Sequence, residues 1–196
     1  GAEMTVEPRE LAGRTYYLDL GGAFYEEPAG LGGLIAQYLN QPLLIGVVSS
    51  NVDEIELMGA QGRVDGATGA ILQDTRLSTF YFGTASFVSR PYLLASAPAV
   101  PLTYDGTDIT FYNFRLEATF SADGDVLGEP RLTGQIDTRN LGPLLGVGSA
   151  PDATCETAAG LGVDCEACPD GQVLCLPLRG SFPNGAYLPG VTLSPR

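Results

Sequence analysis

The sequence predicts a mainly β domain, built as an antiparallel barrel or a strongly curled sheet with one packed helix. In the stretch 109–120, the even positions from 112 to 120 are apolar and the odd positions between them are polar, as in a strand with one wet face. Asp-Gly pairs at 105–106 and 123–124 flank this stretch, and such pairs favour tight hairpin turns. We therefore expect a meander over about residues 100–104, 109–120 and 126–136, with an α+β fold as the alternative.

Length and composition favour a single β-rich domain over residues 1–196. The 26 glycines and 14 prolines exceed ordinary usage, and we expect them mainly in turns. Apolar residues make up 44% of the sequence, which is enough to form a buried core. Neither a repeat nor a linker divides the chain, which again indicates one domain.

The charge and the missing residue types exclude several classes of function. The chain has 10 basic residues, all arginine, against 23 carboxylates, for a net charge of −13. Such a surface repels phosphates, so we exclude nucleic acids and charge-driven binding to anionic membranes. The absence of histidine excludes Ser-His-Asp, Cys-His and His-based metal sites. We predict no enzymatic activity and no cofactor; only hydrolysis by paired carboxylates needs no histidine.

No apolar run reaches the roughly eighteen residues of a membrane span. The first residues do not form a signal peptide either. An export signal or a lipid-anchoring cysteine upstream of Gly1 stays open.

Before the meander, we expect an arm, several strands and a loop. Residues 1–13 are polar and read as a loosely held arm, and residues 15–20 alternate like a first strand. Residues 42–50 form a nearly continuous apolar run, typical of a buried strand, and residues 53–58 alternate again. The glycine-rich residues 59–70 are predicted to be a surface loop.

Shorter strand-like pieces follow over residues 71–94, with Phe80, Phe82 and Phe87 as predicted core residues. Residues 95–101 read as a proline-bearing connection into the meander.

A helix is predicted over about residues 28–40. Pro28 suits a first helical turn, and the two glutamates before it suit the helix dipole. One face carries the apolar residues Leu31, Leu34, Ile35, Tyr38 and Leu39. Its three glycines each weaken the helix by roughly 1 kcal/mol relative to alanine. We therefore expect packing against the sheet to hold this helix.

After the meander, residues 140–146 suggest a helical turn, and residues 149–152 resemble a capping box that opens a helix ending at Ala159. Residues 173–178 are strand-like. Residues 149–180 form a subregion that holds all the cysteines.

Cys155, Cys165, Cys168 and Cys175 follow the spacing C-x9-C-x2-C-x6-C. Zinc, an iron–sulfur cluster and two disulfides are the alternatives. Only one C-x-x-C pair is present, and acidic residues surround it, so disulfides are favoured. Three pairings are open; the short loops favour Cys155–Cys165 and Cys168–Cys175. If these disulfides form, the protein belongs to an oxidising compartment.

Two groups of charged residues are weighed as sites. Asp123, Asp125 and Glu129 offer ligands for calcium but lack the spacing of a calcium loop, which favours ordinary hairpin chemistry. Asp137 and Arg139 lie on one side of an extended segment. An ion pair closing one end of the barrel is favoured over a ligand-binding arginine.

The apolar face of the central strand supplies the candidate ligand-facing residues. They are Tyr112, Phe114, Leu116 and Phe120. This face is either a packed core or the wall of a pocket, and the Tyr112 hydroxyl needs a hydrogen-bonding partner in either case.

The segments RLTGQIDTR and CETAAGLGVDCEACPDGQVLCLPLRG carry a resemblance to known proteins. The chain resembles uncharacterised secreted or lipid-anchored envelope proteins of GC-rich Gram-negative bacteria, which share a C-terminal four-cysteine CPDG segment. The aromatic first strand followed by an EPAG helix also fits that group. The resemblance implies export and a disulfide-bonded tail. The expected location is therefore extracytoplasmic: the periplasm, the outer-membrane surface or the exterior. The resemblance implies no activity.

We therefore expect an extracytoplasmic binding protein that carries a hydrophobic small molecule or lipid in a barrel or in a sheet–helix cleft. The alternative is a non-catalytic structural or adhesive envelope protein that uses its acidic surface to contact other envelope proteins. A histidine-free carboxylate hydrolase ranks third. The sequence leaves the oligomeric state open.

Overall fold

The computed structural model describes residues 3–196 and shows a mainly antiparallel β fold. Within those residues it has eleven strands and three α-helices. The strands are β1 Thr15–Asp19, β2 Phe24–Glu27, β3 Pro42–Ser50, β4 Glu54–Val64, β5 Ile71–Gln73, β6 Phe80–Ser86, β7 Tyr92–Tyr104, β8 Thr107–Phe120, β9 Val126–Asp137, β10 Cys175–Ser181 and β11 Gly185–Tyr187. The helices are α1 Gly32–Tyr38, α2 Gly142–Leu145 and α3 Ala153–Gly160.

The strands form one strongly curled sheet. Antiparallel pairing runs from β7 through β8, β9, β11, β1, β3 and β4 to β6. Strands β6 and β7 lie beside each other, but no ladder joins them within the described chain. Of the two predicted forms, the curled sheet is therefore correct and the closed barrel is not. Strand β10 pairs with β9 on one side and with β2 on the other.

The interior of the curled sheet is packed with side chains. Phe80, Phe82 and Phe87 are at most 5% exposed, which confirms them as core residues. Buried side chains from most strands and from α1 join them in one continuous core cluster. The predicted apolar core therefore forms at the centre of the sheet.

The meander is confirmed, but its first strand is longer than predicted. β7 includes residues 95–101, which the sequence analysis assigned to a connection. Proline is tolerated there because β7 pairs only with β8, so Pro98 and Pro101 leave no gap in a second ladder.

Residues 59–64 belong to β4, so the predicted surface loop over 59–70 is wrong for this half. Gly59 explains the difference: a Cβ atom there would lie 2.1 Å from the Phe80 ring. Glycine at this position leaves room for the buried Phe80 ring, so it does not mark a turn.

Helix α1 is shorter than the predicted span of 28–40 because residues 24–27 and the following turn precede it. A Cβ atom at Gly32 would lie 2.5 Å from the Tyr25 carbonyl oxygen, so glycine lets the helix begin against β2. Ile35 is buried in the core, and the ring of Tyr38 meets that of Tyr104 edge-on at 6.5 Å. The expected packing of the helix on the sheet is confirmed.

The two terminal regions differ in part from the predictions. Residues 1–2 of the predicted arm lie outside the described residues, whereas Pro8–Leu11 form a 3-10 helix and Leu11 is fully buried. Both C-terminal helices are present, but no side-chain capping bond is observed at Asp152, the N-cap of α3. None of the helices in residues 3–196 is long and apolar enough to cross a bilayer.

Candidate functional site

The four candidate ligand-facing residues of β8 do not share one face. Asn113 has a φ of +51°, and the pairing register with β9 shifts between Tyr112 and Arg115. This bulge moves Tyr112 to the opposite face from Phe114. The expected common face of Tyr112, Phe114, Leu116 and Phe120 is therefore wrong for Tyr112.

The other three side chains lie in the packed interior, each at most 3% exposed. Phe114 contacts the rings of Phe80 and Phe82, with centroids 6.4 and 5.7 Å away. Phe120 packs edge-on against Tyr16 at 5.4 Å. Aromatic side chains of the core thus surround this face of β8.

Tyr112 instead joins a polar network on the outer face. Its hydroxyl donates to Asp137 Oδ2 at 3.0 Å, and Arg139 Nε donates to Asp137 Oδ1 at 3.0 Å. This confirms the predicted Asp137–Arg139 ion pair. Arg139 also reaches the Asp170 carboxylate at 2.6 Å. Burial, followed by the hydrogen bond to Asp137, raises the pKa of Tyr112, while the Arg139 guanidinium lowers the pKa of Asp170.

The network ties the strands of the meander to the cysteine-rich segment. Gln135 of β9 donates to Glu166 Oε1 at 2.9 Å and to the Ala167 carbonyl at 3.0 Å. The Thr138 hydroxyl donates to the Leu174 carbonyl at 2.6 Å. These charged and polar groups pair with one another, so we assign the network to folding.

All four cysteines are in disulfides, which excludes the metal alternatives for them. Cys155 pairs with Cys165 at a Cα–Cα distance of 5.6 Å, and Cys168 pairs with Cys175 at 5.2 Å. Both pairings match the favoured connectivity. They are compatible with an extracytoplasmic location.

The carboxylates after β8 make an ordinary hairpin turn. Asp123 Oδ1 accepts hydrogen bonds from the Ser121 hydroxyl at 2.7 Å and from the Asp125 N–H at 3.0 Å. Asp125 pairs with Arg14 at 3.4 Å. In the part of the chain that the structure describes, no three His, Cys, Asp or Glu side chains form a potential metal site.

An apolar cleft lies between β2 and α1. Its volume is about 520 Å³, and small residues form most of its walls. The lining includes Ala23, Phe24, Ala29, Gly33 and Ala36. Phe24 is 70% exposed, the highest value among the exposed large apolar side chains described. A Cβ atom at Gly33 would meet nothing within 4 Å, so this glycine leaves the cleft open.

Sequence reasoning proposed a sheet–helix cleft but missed the strand that forms it. β2 is four residues long, and the expected helix masked it. The available signal was the set of small residues Ala29, Gly30, Gly32 and Gly33, whose glycines are also expected to weaken the helix.

No protein-family model, curated protein or solved structure matches the chain.

Proposed function

We propose that the protein is an extracytoplasmic binding protein that takes the apolar part of a small molecule, such as an acyl chain, into the β2–α1 cleft. The observation that carries this proposal is the cleft itself, an apolar space of about 520 Å³ beside an exposed Phe24. That volume falls within the range of small-molecule sites. The two disulfides support a site of action in an oxidising compartment.

The cleft suits this role better than the interior of the sheet. The interior is filled by buried side chains, including Phe80, Phe82 and Phe114. Glycine and alanine form most of the walls of the cleft. Gly33 preserves the volume of the cleft, although glycine destabilises a helix by about 1 kcal/mol relative to alanine. An apolar chain in this space would lose its contact with water and cover the ring of Phe24.

Charge indicates which end group such a ligand carries. Glu26 lines the cleft and forms an ion pair with Arg179 at 3.2 Å, so the nearby arginine is already engaged. The net charge of −13 adds a long-range penalty for anions. We therefore expect a neutral end group in preference to a carboxylate or phosphate.

The test is titration with the neutral apolar dye N-phenyl-1-naphthylamine, whose fluorescence increases in apolar sites. We expect saturable binding to the wild type and about tenfold weaker binding to Gly33→Leu, because leucine fills the cleft. Gly160→Leu is the matched control, since it also adds leucine to a helical glycine with open space around it. Circular dichroism verifies that both variants fold.

Equal dye binding by Gly33→Leu and the wild type would contradict the cleft as the site. If the wild type binds no dye at all, the structural or adhesive role in the envelope becomes the better proposal.

A further inference from the structure

We infer a second ligand site, a groove for a neutral oligosaccharide on the outer face of the sheet where β9 bulges. This inference goes beyond the proposed function, because the groove shares no lining residue with the β2–α1 cleft.

The bulge creates the groove. Glu117 of β8 pairs with Arg131 of β9, and Thr119 pairs with Gly128, so one residue of β8 faces two residues of β9. The resulting groove has a volume of about 710 Å³. Its lining includes Tyr92, Glu117, Glu129, Arg131, Phe182 and Asn184. This volume is within the range of small-molecule sites.

Glu129 is held in a conformation that its sequence disfavours. Its φ is +49°, in the left-handed region, although a following proline normally keeps the preceding residue extended. Asn184 Oδ1 accepts the Glu129 N–H at 3.0 Å, and the Phe182 N–H donates to the Pro130 carbonyl at 2.9 Å. Two contacts from the β10–β11 junction thus fix the bulge.

The Glu129 carboxylate gains nothing within the fold that offsets this strain. Among residues 3–196 it makes no side-chain hydrogen bond and no ion pair, whereas glycine would adopt the same backbone without strain. Strained backbone of this kind is concentrated at functional sites. The exposed carboxylate is therefore available to accept hydrogen bonds from a ligand in the groove.

The other polar groups define the chemistry of that ligand. The Tyr92 hydroxyl donates to Glu117 Oε2 at 3.0 Å. Tyr92 is 40% exposed. Although Glu117 is its cross-strand neighbour, Arg131 forms no salt bridge in the described part of the chain. The groove therefore offers guanidinium donors and carboxylate acceptors beside an aromatic ring.

Sugar hydroxyls fit this combination, because each hydroxyl both donates and accepts hydrogen bonds. The C–H face of a sugar ring can rest on the exposed ring of Tyr92. Arg131 disfavours a cation, while the two glutamates and the net charge of −13 disfavour an anion. A neutral, hydroxyl-rich ligand is the class that remains.

The test is isothermal titration calorimetry with neutral tetrasaccharides (cellotetraose, maltotetraose and fully N-acetylated chitotetraose). We expect saturable binding of at least one of them to the wild type, and about tenfold weaker binding to Glu129→Gly and to Arg131→Gln. Glu129→Gly should melt at the same or a higher temperature, because glycine relieves the strain at positive φ. Arg115→Gln, an exposed arginine of β8 outside this groove, is the control and should bind like the wild type.

Three results would overturn the inference: no binding of any tetrasaccharide at millimolar concentration, wild-type affinity in Glu129→Gly, or tighter binding of an oligolysine peptide that Glu129→Gly abolishes. Failure here is distinguishable from failure of the proposed function, because Gly33→Leu should keep saccharide binding and Glu129→Gly should keep dye binding.

Discussion

At the level of single residues, three non-glycine positions with positive φ among residues 3–196 decide where side chains point. They are Asp105 at +48°, Asn113 at +51° and Glu129 at +49°. Aspartate and asparagine adopt this region more readily than other residues do, so Asp105 suits its predicted turn and Asn113 suits a bulge. Glutamate followed by proline has no such preference. Glu129 is therefore the position where local sequence and structure disagree, as is common at functional sites.

Tyr16 makes stability depend on pH in the alkaline range. It is fully buried, and its hydroxyl donates to the Gly124 carbonyl. Burial raises the pKa of Tyr16 to about 12, against about 10 in an unfolded chain. Since the folded pKa is the higher one, the contribution of Tyr16 is complete below about pH 10 and is lost as the pH rises towards 12.

We expect Tyr16→Phe to lower the free energy of unfolding by about 1 to 2 kcal/mol at neutral pH, because the Gly124 carbonyl loses its partner. Between about pH 10 and pH 12 the variant should lose less stability than the wild type. Urea unfolding at several pH values measures both effects. The exposed Tyr81→Phe is the control, and parallel pH profiles for wild type and Tyr16→Phe would refute the assignment.

The alternation of residues 109–120 predicted the strand β8 and its two hairpin partners, but it did not predict the bulge. Phe111 and Phe114 are three residues apart and are both buried, which an uninterrupted strand does not allow. Ile109 and Phe111 are apolar at odd positions, whereas the even positions are apolar from 112 onwards. Because Tyr112 fits either face, the pattern does not fix the residue at which the phase changes. The orientation of Tyr112 depends on contacts with Asp137, which sequence patterns do not reveal.

At the level of elements, glycine occurs for different structural reasons in a turn and beneath an aromatic ring. The Asp-Gly pairs on both sides of β8 predict turns correctly, whereas Gly59 lies inside β4 and the loop predicted there is wrong. Only the position of Phe80 in the neighbouring strand separates these cases. The prolines of β7 likewise predict a connection where the structure has a strand, because the sequence does not show which strand has an unpaired edge.

Gly59→Ala tests the role of this glycine in the pairing of β4 with β6. The new methyl group would overlap the Phe80 ring, so we expect a loss of about 1 to 3 kcal/mol in the free energy of unfolding. Gly33→Ala is the matched control: it adds the same group to open space in a helix and should gain up to about 1 kcal/mol. Chemical denaturation measures both changes. Equal stability of Gly59→Ala and wild type would show that Phe80 does not need this space.

At the level of the whole molecule, the disulfide-linked segment is part of the sheet and not an appendage. Cys175 is fully buried and begins β10, which lies between β9 and β2. The segment also contacts β9 through the Gln135–Glu166 hydrogen bond, and it contacts the chain just after β9 through the Arg139–Asp170 ion pair. Sequence spacing predicted the two pairings. It did not predict that one of them would anchor a strand of the main sheet.

Because β10 connects β2 to the rest of the sheet, loss of the Cys168–Cys175 disulfide should destabilise the whole domain in one transition. A loop this short contributes about 2.5 kcal/mol by restricting the unfolded chain. We expect the Cys168→Ala/Cys175→Ala double variant to unfold at lower denaturant by that amount, with near-UV and far-UV circular dichroism changing together. Cys155→Ala/Cys165→Ala is the matched comparison: its disulfide closes a loop of similar length outside the sheet, between Cys155 in the first turn of α3 and Cys165 after that helix. We therefore expect the Cys155→Ala/Cys165→Ala variant to lose less stability in the cooperative unfolding of the strands, measured by far-UV circular dichroism, than the Cys168→Ala/Cys175→Ala variant does. A separate early transition in the Cys168→Ala/Cys175→Ala variant, with the core aromatic signal unchanged, would show instead that the segment unfolds independently of the sheet.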